Sequence, residues 1–173
     1  TAPATYFLSK GAASASVTCR LPTWQGAYFE SMMPPWATTS CGGGRGRPDF
    51  KPTSEFIAHV EIVIDKQKSG SDHRCVVHTH PTELIALSHH PRFAHDEAAY
   101  TQACWKMLPE VRAFVPRGIG IVPYCLPGSK AMADGTREKL RTADVAIWEK
   151  HGAVASGPDA LAAFDYIDVA NKG

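Results

Sequence analysis

The sequence lacks the features that would place the chain in a membrane, on a nucleic acid or in a disulfide framework. No apolar run reaches the roughly 18 to 20 residues that a membrane span needs. The 18 basic and 17 acidic residues nearly cancel, so there is no overall basic field to attract nucleic acid. The five cysteines are an odd number without a C-x-x-C pair, which predicts free thiols in a reducing compartment. We therefore expect a soluble, cytoplasmic protein that contacts neither membranes nor nucleic acids.

The length of the chain suits a single compact domain, since 173 residues with 44% hydrophobic content can supply one ordinary core. The amino end, TAPAT, has no basic region followed by an apolar stretch, so no targeting signal is expected. Residues 12–50 are crowded with turn formers, which predicts loops. The chain begins with Thr1 and stops soon after a helical pattern begins. We expect a single domain over residues 1–173 that is incomplete at both ends.

A helix is predicted from about residue 54, because Thr53 and Ser54 are common N-cap residues and apolar side chains recur at helical spacing beyond them. Val60, Ile62 and Ile64 also alternate with polar residues, which leaves a strand open for the later half of this segment.

The rest of the chain alternates between short strand patterns and helical patterns. Strands are predicted over residues 74–78, 111–115, 119–122 and 145–147, and helices from about Pro81, Ser129 and Gly157. Turn residues 116–118 would join the second and third strands as a hairpin. This mixture predicts an α/β layered architecture.

Three histidines form the candidate metal site. His78 and His80 lie two apart at the end of a predicted strand, so both side chains can turn toward one ion. His151, followed by Gly152 between two strand patterns, is the best placed third ligand. Three neutral nitrogens with an open fourth position are what catalytic zinc uses. The competing interpretation is chance, because the chain contains eight histidines. The other five are expected to be solvated or to make ordinary hydrogen bonds: His59, His73, His89, His90 and His95.

Four sequence segments occur in one order and spacing that is specific in combination. They are residues 51–55 (KPTSE), 76–87 (VVHTHPTELIAL), 118–128 (GIGIVP and LPG) and 148–158 (WEKHG and SGP). Together they resemble the class II aldolase family, in its rhamnulose-1-phosphate branch, over about residues 51–171. The resemblance implies a three-layer αβα fold with a central mixed, mainly antiparallel sheet. It also implies one zinc ion per subunit on the three histidines named above.

The resemblance implies roles for further residues. Glu55 would lie beside the metal as acid/base, and Glu110 would reach in from a neighbouring subunit of a homotetramer whose active site lies at the subunit interface. Thr53 and Ser54 would bind the substrate phosphate at a helix start, where the helix dipole favours an anion. The segment from Ser9 to Gly11 would be the counterpart of a Gly-Ser-Gly phosphate loop, with Lys10 in the place of the serine.

The reaction that the resemblance implies is the reversible, zinc-dependent cleavage of a ketose 1-phosphate. The expected substrate is rhamnulose 1-phosphate, which would give dihydroxyacetone phosphate and lactaldehyde. Other branches of the family remain open, namely fuculose-phosphate aldolase, ribulose-phosphate 4-epimerase and methylthioribulose-phosphate dehydratase. A zinc-stabilised binding module without catalytic activity is the alternative from a different class.

Overall fold

The computed structural model describes residues 16–19 and 54–173. The strands are β1 (Ser16–Cys19), β2 (Cys75–Thr79), β3 (Ile119–Val122), β4 (Val145–Trp148) and β5 (Gly152–Gly157). The helices of the described residues are α1 (Phe56–Lys68), α2 (Thr82–Ser88), α3 (Glu97–Met107), α4 (Pro109–Phe114), α5 (Lys130–Thr142) and α6 (Ala160–Lys172).

The strands form one mixed sheet in the order β1-β2-β5-β4-β3. The pairs β1/β2, β2/β5 and β4/β5 are antiparallel, whereas β3 and β4 are parallel. A parallel pair needs a long crossover connection, and α5 supplies it between β3 and β4. The expected mixed and mainly antiparallel sheet is confirmed.

Both faces of the sheet are covered by helices. In β2, Val76 packs in a cluster with residues of α1 and α5, and the next residue, Val77, packs in a second cluster with residues of α2, α3, α4 and α6. Successive strand residues point to opposite faces, so the two clusters are the two sides of the sheet. The expected three-layer αβα fold is confirmed. His78 has the same parity as Val76 and therefore faces the layer of α1 and α5.

The strand predicted over residues 111–115 is wrong, because these residues belong mainly to α4. Val111 and Val115 are both fully buried and lie one helical turn apart, so both reach the core from a helix. Pro109 occupies the start of this helix, where its missing N–H costs nothing. The predicted hairpin is wrong too, since β3 pairs with β4.

The strand alternative for the later half of α1 is wrong, because the helix runs unbroken over Phe56–Lys68. The helices predicted from Pro81, Ser129 and Gly157 are confirmed as α2, α5 and α6, with small shifts of their first residues. β1 lies within the segment expected to be loop-rich, and the remainder of residues 12–50 lies outside the described residues.

The cysteines depart from expectation at one position. Cys75 is disulfide-bonded, so the prediction of free thiols throughout is wrong. Cys104 and Cys125 do carry free thiols.

Among the described residues, no helix combines the length and the apolar character needed to cross a membrane.

Candidate metal centre

The sheet topology brings the three candidate histidines together. His78 and His80 lie at the carboxyl end of β2, whose Thr79 is opposite Ala153 of β5. His151 lies in the turn immediately before β5. Because β2 and β5 are antiparallel neighbours, the end of one strand lies beside the beginning of the other. One ligand nitrogen from each of the three rings lies within 4.8 Å of the others.

The spacing and chemistry of the rings suit a divalent ion. Nε2 of His78 and Nε2 of His80 lie 2.9 Å apart. Zn–N bonds of about 2.0–2.1 Å at a tetrahedral angle separate neighbouring nitrogens by about 3.3 Å, so a small movement of the rings accommodates zinc. His78 is buried, His151 is half-buried and His80 is exposed. The cluster therefore opens to solvent on one side, where a substrate could bind.

The ring of His78 is fixed by its neighbours. Its Nδ1–H donates to the backbone oxygen of Ala153 at 3.0 Å, which leaves Nε2 as the metal-binding nitrogen. The Trp148 ring lies 4.3 Å from the His78 ring and 5.1 Å from the His151 ring, centroid to centroid. Trp148 is held in turn, because its Nε1–H donates to Thr136 Oγ1 at 2.7 Å.

The turn that carries His151 is anchored from two sides. Lys150 has a positive φ of 64°, and its N–H donates to Ser88 Oγ of α2 at 2.9 Å. The Glu149 carboxylate accepts from the Tyr124 N–H at 2.9 Å. The N–H of His151 donates to the Trp148 oxygen at 2.9 Å. These contacts hold Lys150 in its left-handed conformation and so fix the backbone position from which the His151 side chain extends.

Burial keeps the imidazoles of His78 and His151 in their metal-binding form. It lowers the pKa of His78 well below its usual value, and the neighbouring His59 and His80 lower this pKa further. Burial also lowers the pKa of His151, with His80 as the second cause. A lowered pKa keeps the ring neutral at physiological pH, and metals bind the neutral ring.

Glu55 lies beside this cluster at the beginning of α1. Its side chain is almost buried, with 8% exposed. Burial lowers the pKa of both His59 and His151, and the negative charge of Glu55 partly opposes this lowering. The Ser54 hydroxyl donates to Glu55 Oε1 at 2.5 Å. Gly128 packs against the same segment, since a Cβ on this residue would lie 2.7 Å from the Ser54 oxygen. The Glu55 carboxylate is thus held where its charge acts on His59 and His151.

His59, for which the sequence predicted no role in the site, follows Glu55 by one helical turn. It is fully buried, and burial lowers its pKa to about 4. Its backbone N–H donates to the Glu55 oxygen at 3.2 Å. The sequence predicted that its side chain is solvated or makes an ordinary hydrogen bond, and assigned it no role in the site. The available signal was its position four residues after Glu55, in a run that is otherwise apolar.

The remaining histidines behave as expected. A ring nitrogen of His73 lies 2.9 Å from the Ser156 hydroxyl, which is an ordinary hydrogen bond. His89, His90 and His95 are exposed.

Among the other predicted residues, the structure describes Ser54 and Glu110, and Glu110 lies away from the cluster within one chain. Glu110 is exposed on α4, whose buried Val111 belongs to the core on the opposite side of the sheet from α1. Its approach from a neighbouring subunit remains a prediction. Thr53, Ser9 and Gly11 lie outside the described residues. Ser54 is exposed and directs its hydroxyl to Glu55.

Comparison with known proteins places this geometry in a family. The Class II Aldolase and Adducin N-terminal domain matches residues 31–172. The chain belongs to this family. Two curated class II relatives are named rhamnulose-1-phosphate aldolase. The protein from Bacteroides thetaiotaomicron is 47% identical over 121 residues, and the one from Yersinia pestis is 38% identical over 122 residues.

The match to these relatives is partial. It covers 70% of this chain in both cases, but only 45% of the Bacteroides protein and 44% of the Yersinia protein, so the chain spans less than half the length of the curated relatives it matches. The crystal structure of a sugar-phosphate aldolase from Thermotoga maritima is 35% identical, with a TM-score of 0.64, over 72% of this chain and 52% of that one. An L-fuculose-1-phosphate aldolase from Thermus thermophilus, 20% identical with a TM-score of 0.52, shares the class II fold.

Proposed function

We propose that the protein containing this chain is a metal-dependent lyase that cleaves a ketose 1-phosphate. The observation that carries the proposal is the convergence of three histidines beside one almost buried carboxylate. The metal in this proposal is zinc, and the substrate is rhamnulose 1-phosphate, which would yield dihydroxyacetone phosphate and lactaldehyde. The names of the Bacteroides and Yersinia relatives support this branch of the family.

His78, His80 and His151 are the proposed metal ligands. When bound, the ion would supply a Lewis acid that polarises the ketone and stabilises negative charge on the substrate oxygens. The exposed side of the cluster, at His80, is where the ketose would approach.

Glu55 is the proposed acid/base. Cleavage of the bond beyond the ketone leaves a three-carbon fragment whose carbon must take up a proton, and in the reverse direction this proton must be removed. The Ser54 hydroxyl holds Oε1 of Glu55, so we assign proton transfer to Oε2. Burial of this carboxylate supports the role, because it shields the group from bulk water.

The other half of the reaction needs a second group, which removes the proton from the hydroxyl that becomes the aldehyde. We assign this role to Glu110 of a neighbouring subunit in a homotetramer. The exposed position of Glu110 on α4 supports an action outside its own chain. Thr53, Ser9, Gly11 and the backbone N–H of Ser54 remain the proposed phosphate-binding groups, since the Ser54 hydroxyl donates to Glu55.

Two substitutions test the proposal together with metal analysis. Glu55→Gln should keep one metal ion per chain while the release of dihydroxyacetone phosphate falls about 100- to 10,000-fold. His78→Ala should lose both metal and cleavage, and His89→Ala, an exposed histidine outside the cluster, should lose neither. The assay uses rhamnulose 1-phosphate, fuculose 1-phosphate and ribulose 5-phosphate in parallel. Full activity of Glu55→Gln would show that the role given to Glu55 is wrong, and metal binding without any cleavage would favour a binding module.

A further inference from the structure

We infer that His59 is a positioning residue, whose buried imidazole holds the Glu55 carboxylate in the orientation that proton transfer requires. This inference rests on the proposed acid/base role of Glu55 and adds to it the residue on which that role depends. His59 touches neither the open side of the cluster nor solvent, because its side chain is fully buried. Any effect on the reaction must therefore pass through its neighbours.

The backbone places His59 directly below Glu55. Glu55 is the N-cap of α1, and the first turn of the helix closes with the bond from the His59 N–H to the Glu55 oxygen at 3.2 Å. Residues four apart lie on the same side of a helix. The helix cannot rotate about its axis to separate them, since Ala58 and Ile62 fix its inner face in the core with 1% of each exposed.

The ring of His59 lies within electrostatic reach of two functional groups. Burial lowers the pKa of His59, the Glu55 charge partly opposes this, and His59 in turn contributes to the lowered pKa of His78, after burial. His59 therefore interacts electrostatically with both the proposed acid/base and the most deeply buried of the proposed metal ligands. A group so placed can set the distance between the carboxylate and the metal site.

Folding alone gives no reason for an imidazole at this position. The adjoining helix positions that face inward, Ala58 and Ile62, belong to an apolar cluster with Val76 and Trp148. Burying a polar ring costs free energy that an apolar side chain of similar volume would not cost. The histidine at this position, one helical turn after Glu55, therefore indicates that its polar ring atoms have a functional role.

The test is a double-mutant cycle on the metal-loaded protein. His59→Phe keeps an aromatic ring and removes its polar atoms, and kcat should fall about 100-fold because the carboxylate is misplaced. KM and the metal content should stay unchanged. In the Glu55→Gln background the same substitution should cost less than about twofold, since the group through which His59 acts is already inactive. His59→Asn or His59→Gln, which restore a polar group, should recover part of kcat.

Two further measurements separate positioning from a loss of folding. Crystal structures of the parent and of His59→Phe should show the Glu55 carboxylate displaced relative to the three imidazoles, which requires no turnover. Ile167→Ala, which removes a buried side chain of α6 on the opposite side of the sheet, should lower thermal stability and leave kcat unchanged.

The outcomes are distinct. Parent-like kcat in His59→Phe overturns the inference, as does a loss that persists undiminished in the Glu55→Gln background, or a loss of metal that accounts for the whole effect. If His59→Phe does not fold, the same cycle with His59→Leu, which also removes the polar atoms, decides by the same criterion. Full activity of Glu55→Gln alone would instead overturn the proposed function. An inactive Glu55→Gln with a fully active His59→Phe would overturn only the role of His59.

Discussion

Replacing Gly152 with alanine should weaken metal binding far more than it weakens the fold. Gly152 opens β5 directly after His151, and a Cβ on it would lie 2.6 Å from His78 Cε1, 2.6 Å from the Thr79 oxygen and 2.8 Å from His80 Cδ2. Ordinary contacts between carbon atoms are about 3.5–4.0 Å, so the His78 ring must move by about 1 Å. Backbone on the neighbouring strand blocks the alternative movement of β5.

The expected loss of zinc affinity follows from the small displacement of ligand atoms that a metal site tolerates. Cε1 is bonded to the metal-binding Nε2 of the ring, and a ligand distance has to stay within about 0.2 Å of its ideal value. We expect the affinity for zinc to fall about 100-fold, and the free energy of unfolding of the metal-free protein to fall by about 1–3 kcal/mol through overpacking.

The assay is a zinc titration against a competing chelator, with denaturant unfolding of the metal-free protein alongside. The matched control is Gly157→Ala at the other end of β5, where a Cβ would lie 2.7 Å from the Ala163 nitrogen. This control should lose similar stability and keep its zinc affinity. A folded Gly152→Ala protein that binds zinc as tightly as the parent would refute the reasoning.

Three further predictions concern the support of the site. The pKa of His59 is lowered from 6.5 to about 4, so the unfolded chain binds more protons than the folded one between these values. The free energy of unfolding of the metal-free protein should therefore fall by about 3 kcal/mol between pH 7 and pH 4, and His59→Phe should flatten this part of the curve. Gly128→Ala should reduce kcat, because the φ of +73° is strained for alanine and the new Cβ would press on Ser54, whose hydroxyl holds Glu55. An unchanged kcat would contradict this prediction. Thr136→Val should lower the free energy of unfolding by about 1–3 kcal/mol in denaturant titrations, since it leaves the Trp148 N–H without its acceptor, and no loss would show that this bond is unimportant.

The sequence was informative where periodicity and topology agree. The short strand ending at His78 and the turn before β5 could be predicted, because β-branched runs and turn formers mark them. That these two distant segments meet was implied by the resemblance to the class II aldolase family. Residues 111–115 misled because Val111, Ala113 and Val115 alternate like a strand, although Val111 and Val115 also match a helical turn. The preceding Pro109 favours the helix, because proline is common at the first position of a helix. The helix Glu97–Met107 was missed, although Asp96 caps it by accepting from the Ala99 N–H.

What could not be predicted depends on side-chain surroundings. The burial of His59 follows from the rotation of α1 against the sheet, which Ala58 and Ile62 set through tertiary packing. The closeness of Gly152 to two imidazoles depends on the pairing of β2 with β5, which no local pattern specifies. The disulfide at Cys75 likewise depends on what lies near it in space. Cysteine count and spacing contain no such information.

The most direct test of the central claim is an anomalous-scattering map, recorded at the zinc edge from crystals of the zinc-loaded protein. We predict a peak at about 2.0–2.1 Å from a ring nitrogen of each of His78, His80 and His151, with the Glu55 carboxylate beside it. A peak bound elsewhere, or a site that lacks the ring of His151, would contradict it.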